Sequence, residues 1–125
     1  MLFRSLGPCG YDVRCREKVR LYPLELQLVS TIEYFHIRTD LKLRVCNKST
    51  FLRVGMINFG EGEPGWDGYL TLELMLCHKE PIDIASDTPV ACVEFMRLEE
   101  PTEQPYGSRD KYQHQKPEPI SAIFV

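Results

Sequence analysis

Strict alternation of apolar and other residues limits what this chain can fold into more than any other feature of the sequence. The alternation is clearest in residues 69–76, where Leu70, Leu72, Leu74 and Leu76 occupy every second position. A period of two places successive side chains on opposite faces of a strand, whereas an amphipathic helix requires a period near 3.6. No stretch of the sequence shows the helical period over a long window. We therefore expect an all-β protein.

Similar short segments recur along the chain and are separated by Gly, Pro, Asn and Asp. The predicted strands are residues 10–14, 19–22, 27–35, 41–46, 69–76, 82–84 and 90–98. So many short strands in 125 residues predict one compact β-sandwich or distorted jelly roll with a single core. Residues 58–68 are rich in glycine, which predicts a loop or hairpin tip at a functional site.

The composition changes near residue 100, where the chain becomes polar and rich in proline. We expect a β domain over residues 1–100 and a C-terminal arm over residues 101–125. A plain linker would lack apolar anchors, but this segment carries several. These anchors are Tyr106, Tyr112, Ile120, Ile123 and Phe124. We expect the arm to order on a ligand or a neighbouring subunit and not to remain a disordered end.

Charge and cysteine content exclude several classes of protein. Residues 61–103 carry eleven acidic and two basic residues, and the whole chain has a net charge of −3, so general nucleic-acid binding is not expected. No apolar stretch approaches the roughly 18 residues of a membrane span. The first seven residues lack the pattern of a signal peptide. Five cysteines without a tight pair favour reduced, buried thiols, and we expect an intracellular, cytoplasmic protein.

Four segments, in this order, resemble the family of dCTP deaminases and dUTP diphosphatases. Residues 7–14 (GPCGYDVR) are similar to the opening strand of the family, and residues 47–56 (NKSTFLRVGM) to its phosphate and catalytic motif. Residues 63–74 (EPGWDGYLTLEL) resemble its Pro-Gly-Trp strand motif, and Tyr106 with residues 111–115 (KYQHQ) resembles the tail of the deaminase branch. Glu73 lies ten residues after Glu63, which matches the family's spacing between its hairpin acid and its strand glutamate.

The resemblance implies a dUTPase-like jelly roll that forms a homotrimer with active sites between subunits. It also implies hydrolytic deamination of dCTP to dUTP and ammonia, by a glutamate-activated water and without zinc. Glu73 would be the catalytic base. Ser49 would orient the water or bond to Glu73, and Arg53 would hold the acid and stabilise developing charge.

The nucleotide would be held by the phosphate motif, the hairpin and the tail. Lys48 would neutralise phosphate oxygens, Trp66 would pack on the sugar or base, and the tail would add phosphate contacts and aromatic rings. Mg²⁺ would arrive on the triphosphate and need few protein ligands. The substrate-binding candidates are Lys48, Thr50, Glu63, Trp66, Tyr106, Lys111, Tyr112 and Gln115.

The chemistry of Glu73 can also be argued from the strand itself. Replacing the 4-amino group of cytosine needs a base to take a proton from water, and a carboxylate can serve. Glu73 shares a face with Tyr69, Thr71 and Met75, opposite the four leucines, so it can face a cavity without disrupting the core. We expect it to be buried there. The alternative is an ordinary surface glutamate on an exposed strand face.

Three other functions remain open. A dUTP diphosphatase, or an enzyme with both activities, would keep the hairpin acid and the strand glutamate, but a typical diphosphatase ends in a glycine-rich phosphate motif that is missing here. A catalytically inactive, nucleotide-binding regulatory trimer is suggested by the divergent residues 58–60. A zinc deaminase is not expected, because Cys92 has no partner at the spacing that such a site requires.

Overall fold

The structure is a computed structural model that describes residues 6–124, so the expectation about a signal peptide concerns residues that lie partly outside it. The described elements are β1 (Tyr11–Arg14), β2 (Val19–Leu21), β3 (Leu26–His36), β4 (Leu41–Asn47), α1 (Ser49–Arg53), β5 (Met56–Phe59), β6 (Glu61–Gly62), β7 (Asp67–Leu76), β8 (Ile82–Ile84) and β9 (Pro89–Arg97). The all-β prediction is confirmed. No helix within residues 6–124 is long and apolar enough to cross a membrane.

The prediction that residues 58–68 form one loop is wrong in part. Asn58 and Phe59 end β5, Glu61 and Gly62 form β6, and the segment's last two residues begin β7. Both short strands are held by tertiary pairing, β5 to β7 and β6 to β4. Glycine-rich sequence predicts turns locally, but partner strands can still extend the backbone on either side of a turn. The one-turn helix α1 was also not predicted.

The strands form three antiparallel sheets. The four-stranded sheet has the order β1-β9-β4-β6, the three-stranded sheet has the order β3-β7-β5, and β2 pairs with β8. Side chains from both larger sheets meet in one core, which includes Val13, Leu43, Val93, Leu72 and Leu74. This arrangement matches the predicted sandwich.

β7 is the central strand of the three-stranded sheet. One of its faces packs against the core, and the other faces away from it. Leu72, Leu74 and Leu76 are fully buried, while Glu73 on the other face is exposed. Burying a leucine side chain stabilises the fold by about 1.5–3 kcal/mol, so the leucines fix which face of β7 points inward. The predicted division of the two faces is confirmed.

The five cysteines are free thiols that differ in exposure. Cys15 is buried, and burial raises the pKa of its thiol to about 11. Cys9 and Cys77 are exposed, so the expectation that the cysteines lie in the core is wrong for these two. Both lie outside the strands, where other parts of residues 6–124 do not pack over their side chains.

Candidate active site

A cavity of about 400 Å³ opens beside the outer face of β7. Its walls come from β3, β7, the segment 60–66 that includes β6, and the C-terminal arm. Polar and aromatic groups from segments far apart in sequence meet there. The lining residues are Leu26, Leu28, Gly60, Glu61, Gly62, Glu63, Trp66, Leu70, Thr71, Glu73, Tyr106, Tyr112, Gln115, Ile120 and Ala122.

Glu73 lies on the wall that β7 provides. Its register partners are Leu28 on β3 and Phe59 on β5, so apolar side chains flank the carboxylate on both sides. Among the described residues, no side-chain hydrogen bond or ion pair involves the Glu73 carboxylate. The expectation that Glu73 is buried is wrong for the single chain, because the arm contacts Thr71 on this face of the sheet but leaves Glu73 exposed. The carboxylate is therefore free to accept a proton from a molecule in the cavity.

The cavity wall is negatively charged. Glu61, Glu63 and Glu73 all line it, and none of the lining residues is Lys or Arg. Lys42 pairs with one of these glutamates, and its Nζ lies 3.1 Å from Oε2 of Glu61. The hydrogen bond to Glu61 and the charges of Glu61 and Glu63 raise the pKa of Lys42. A polyanionic ligand would thus need cations that this part of the chain does not supply.

Trp66 connects the core to the cavity. Its side chain is only 5% exposed and packs on Phe35 with ring centroids 6.4 Å apart. The indole Nε1 donates a hydrogen bond of 2.6 Å to the backbone oxygen of Tyr112 in the arm. Trp66 therefore packs in the core, lines the cavity and bonds to the arm.

The arm packs against its own chain. Gln113 accepts a hydrogen bond from the backbone N–H of Asp67 at 2.7 Å and donates to the backbone oxygen of Gly65 at 3.0 Å. The backbone N–H of Tyr69 donates to the oxygen of Gln115 at 3.1 Å, so the arm continues alongside the start of β7 as a parallel bridge. The arm thus lies against β7 of its own chain.

The predicted phosphate motif lies outside this cavity. Ser49, Thr50 and Arg53 belong to α1 and are exposed, and none of their side chains has a hydrogen bond among the described residues. Lys48 precedes α1, and its Nζ lies 2.6 Å from Oδ2 of Asp12. In one chain these four residues therefore do not meet Glu73.

The glycine of the same motif fixes the position of α1. Gly55 has a φ of +90°, which L side chains adopt at a cost. A Cβ atom there would lie 2.1 Å from the backbone oxygen of Cys77. The oxygen of Gly55 also accepts a hydrogen bond of 2.7 Å from the N–H of Cys77, which ties α1 to the end of β7.

The structure thus divides the predicted site residues into two groups. Lys111, like the phosphate motif, does not line the cavity, because its Nζ donates to the backbone oxygen of Ile123 at 3.0 Å. The predicted residues that the cavity brings together are Glu63, Trp66, Glu73, Tyr106, Tyr112 and Gln115. Those outside it are Lys48, Ser49, Thr50, Arg53 and Lys111.

Several lining residues were not predicted. Thr71 could have been identified, because it lies two positions from Glu73 on the same face of β7. Leu28 could not, since its place opposite Glu73 depends on strand register. Ile120 and Ala122 lie in the arm, where the sequence offers no periodic pattern.

Comparisons with known proteins identify relatives of this chain. A family model for dCTP deaminase-like proteins matches residues 11–98. The dCTP deaminase of Pyrococcus furiosus is 34% identical over 125 residues, which covers 87% of this chain and 79% of the relative. The dUMP-forming dCTP deaminase of Corynebacterium kroppenstedtii is 32% identical over 111 residues, which covers 84% of this chain and 59% of the relative.

The fold also matches solved dUTPase structures. A mutant dUTPase from the Staphylococcus aureus phage phi11, solved to describe a structural Mg(II) ion, has a TM-score of 0.70 at 14% identity. The match covers 89% of this chain and 92% of the phage protein. The predicted dUTPase-like jelly roll is confirmed. Because the family model covers most of the chain and relatives above 30% identity agree with it, this chain belongs to the dCTP deaminase-like family.

Proposed function

We propose that this protein deaminates dCTP to dUTP and ammonia, with water activated by Glu73 and without zinc. The observation that carries the proposal is an unpaired carboxylate at the wall of a cavity of about 400 Å³, a size suited to a nucleotide. Trp66 and two tyrosines supply aromatic surface in the same cavity. Relatives of this chain are named dCTP deaminases.

Glu73 would act first as a base and then as an acid. Its carboxylate takes a proton from water while the water oxygen bonds to C4 of cytosine, which gives a tetrahedral centre. The protonated carboxyl then returns the proton to the amino nitrogen. The C4–N bond breaks and ammonia leaves, the proton still on the new hydroxyl moves to N3, and C4 keeps the oxygen as a carbonyl. One side chain thus moves the proton through both steps, which is the role expected of a general acid–base.

The site would be completed by a second copy of the chain in a homotrimer. A triphosphate carries several negative charges, but the cavity is lined by three glutamates and by no Lys or Arg. Arg53 and Ser49 are exposed on α1 without described partners, so they are available to a neighbouring subunit. Residues near the cavity leave an apolar surface, with Phe59 and Leu26 each 60% exposed, which is typical of a protein interface.

Mg²⁺ would reach this site on the phosphates of the nucleotide. Within residues 6–124, no three His, Cys, Asp or Glu side chains are grouped so that they could hold a metal ion. Mg²⁺ is commonly bound by substrate phosphates, waters and one or two carboxylates. Glu61 and Glu63 offer such oxygens at the cavity wall, so the residues fit an ion that arrives with the nucleotide.

The arm over residues 101–125 would close over the bound nucleotide. Tyr106, Tyr112 and Gln115 already line the cavity, so the arm needs little movement to contact a ligand. Lys111 would leave the backbone oxygen of Ile123 to reach a phosphate. The β domain would then hold the base, and the arm would exclude water from the reacting atoms.

A second activity is favoured by one observation. Glu63 and Glu73 line the same cavity, so the chain keeps two carboxylates that could serve two hydrolytic steps. One relative is named a dUMP-forming dCTP deaminase. The alternative proposal is therefore a bifunctional enzyme that converts dCTP to dUMP, with ammonia and pyrophosphate as the other products.

The test is to incubate the purified protein with dCTP or dUTP and Mg²⁺ and to separate the products by chromatography. Formation of dUTP from dCTP supports deamination, and formation of dUMP with pyrophosphate supports the bifunctional enzyme. Glu73→Gln should lower turnover at least a thousandfold while nucleotide binding is kept, whereas the exposed Glu80→Gln should behave as wild type. Full activity of Glu73→Gln would exclude this mechanism, and tight binding without turnover by the wild type would favour the regulatory trimer.

A further inference from the structure

Thr71 lies between β7 and the C-terminal arm and makes two hydrogen bonds to the arm. Its Oγ1 lies 3.0 Å from Oε1 of Gln115 and accepts a bond of 3.1 Å from the backbone N–H of Ile120. Both arm residues line the cavity with Thr71. A single hydroxyl therefore joins two points of the arm to the strand that carries Glu73.

The bond from Ile120 determines how the hydroxyl is used. A backbone N–H can only donate, so Oγ1 of Thr71 accepts from Ile120 and has its own proton left to donate. The Oε1 atom of Gln115 is the acceptor for that proton. The Gln115 carboxamide is thereby oriented, and its Nε2 has no partner among residues 6–124. Two N–H donors remain available to a ligand in the cavity.

A neutral donor matters in this particular cavity. Ionised carboxylates such as Glu61, Glu63 and Glu73 accept hydrogen bonds and cannot donate them. A pyrimidine nucleotide presents acceptors on the base, the sugar and the phosphates. The amide of Gln115 can bond to such an acceptor without carrying a charge of its own.

We propose that Thr71 is a positioning residue for nucleotide binding, which holds the Gln115 amide with its N–H groups directed at an acceptor atom of the nucleotide. This inference rests on the proposed function of the same cavity. Thr71 acts through Gln115 and does not itself react. Since the contact is made in the ground state and the transition state alike, its loss raises KM and leaves kcat nearly unchanged.

The test compares variants that remove or keep the hydroxyl. Thr71→Val removes it at nearly constant shape, Thr71→Ser keeps it, and Gln115→Ala removes the amide that it holds. Thr102→Val is the matched control, because the Thr102 hydroxyl also accepts a backbone N–H, from Gln104 at 3.2 Å, but does not contact Gln115. Nucleotide affinity is followed by the fluorescence of Trp66, the single tryptophan of the chain, alongside KM and kcat for dCTP.

Thr71→Val should weaken dCTP binding about tenfold, which corresponds to about 1.4 kcal/mol, while Thr71→Ser and Thr102→Val stay within about twofold of wild type. The double variant Thr71→Val with Gln115→Ala should bind no more weakly than Gln115→Ala alone, because one residue acts through the other. Additive losses, or no rescue by serine, would overturn the proposal and leave a structural role for Thr71. Fluorescence reports nucleotide binding without turnover. The dependence of the Thr71 effect on Gln115 can therefore be measured even if the protein does not deaminate dCTP.

Discussion

The indole Nε1 of Trp66 donates a hydrogen bond of 2.6 Å to the backbone oxygen of Tyr112, which lies 46 residues further along the chain. Trp66 is held in the core by Phe35, so its position is fixed by packing that does not involve the arm. Tyr112 is in turn bonded through its N–H to the hydroxyl of Tyr106 at 2.9 Å. The rigid core thus provides the anchor from which the arm reaches the cavity.

Replacing Trp66 by Phe should release the arm without unfolding the β domain. The phenyl ring keeps most of the core packing but cannot donate to Tyr112. A hydrogen bond of this kind contributes about 1 kcal/mol, so the population of released arm should rise about fivefold. Limited trypsin digestion after Lys111 measures this as faster cleavage, and added dCTP with Mg²⁺ should slow it again.

The matched control is Phe35→Leu, which weakens packing on Trp66 but removes no bond to the arm. It should lower the melting temperature and leave cleavage after Lys111 close to the wild-type rate well below that temperature. Equal acceleration in both variants would mean that trypsin reports loss of core stability and not release of the arm.

Gly55→Ala should destabilise the protein strongly. The substitution forces an alanine into a φ of +90° and brings its Cβ within 2.1 Å of the backbone oxygen of Cys77. Strain of this kind costs about 1–3 kcal/mol for the backbone alone, and the contact adds to it. We expect the free energy of unfolding in urea, followed by Trp66 fluorescence, to fall by at least about 2 kcal/mol.

Gly107→Ala provides the comparison for this experiment. The nearest atom to a Cβ at Gly107 is Oδ2 of Asp110 at 3.7 Å, which is ordinary contact. That variant should differ from wild type by no more than about 0.5 kcal/mol. If the two alanine variants are equally stable, the turn after α1 must adjust freely, and Gly55 does not fix the position of the phosphate motif.

The thiol of Cys15 should make the protein less stable at alkaline pH. Burial is the main cause that raises its pKa from 9.0 to about 11, against a smaller opposing effect of a backbone hydrogen bond with Glu17. The folded state therefore holds the proton more tightly than the unfolded chain does. The contribution to stability is complete below pH 9 and is lost as the pH rises toward 11, which amounts to about 2–3 kcal/mol.

Urea unfolding at pH 8 and pH 10.5 tests this prediction. Between pH 8 and pH 10.5, the free energy of unfolding of wild type should fall by about 2 kcal/mol more than that of Cys15→Ala. Cys77→Ala changes an exposed thiol and should show the same pH dependence as wild type. The comparison with Cys15→Ala is needed because burial also raises the pKa values of Cys46 and Cys92. Parallel pH dependence of wild type and Cys15→Ala would show that Cys15 does not titrate differently in the two states.

The sequence predicts those parts of the fold in which local pattern and packing agree. The β7 strand was predictable because the four leucines repeat with a period of two and are all buried. The two-residue strand β6 was not, because Glu61 and Gly62 are extended only through pairing with β4. A two-residue segment contains too little periodicity to indicate any structure.

The site was predictable to the extent that its residues share a strand or a motif. Glu73 and Trp66 come from one segment, and the cavity brings them together. The bonds of Gln113 to the backbone near Trp66 and the place of Leu28 opposite Glu73 depend on long-range contacts that no local pattern encodes. The position of Arg53 relative to Glu73 depends on assembly, which a single sequence does not specify.

Phe59 provides a test of that assembly. It is 60% exposed, lies directly opposite Glu73 in the sheet, and would be covered if a second copy completes the cavity. Phe59→Arg should therefore bury a cation opposite Glu73 in the interface, and the cost of desolvating such a pair can exceed the attraction between its charges. Light scattering should show a trimer for wild type and smaller species for the variant at micromolar concentration, with loss of dCTP turnover in parallel.

Glu80→Gln changes the net charge by the same amount at an exposed turn and should remain trimeric. A trimeric and active Phe59→Arg variant would place the subunit interface elsewhere, and a monomeric wild type that is active would show that one chain suffices for catalysis.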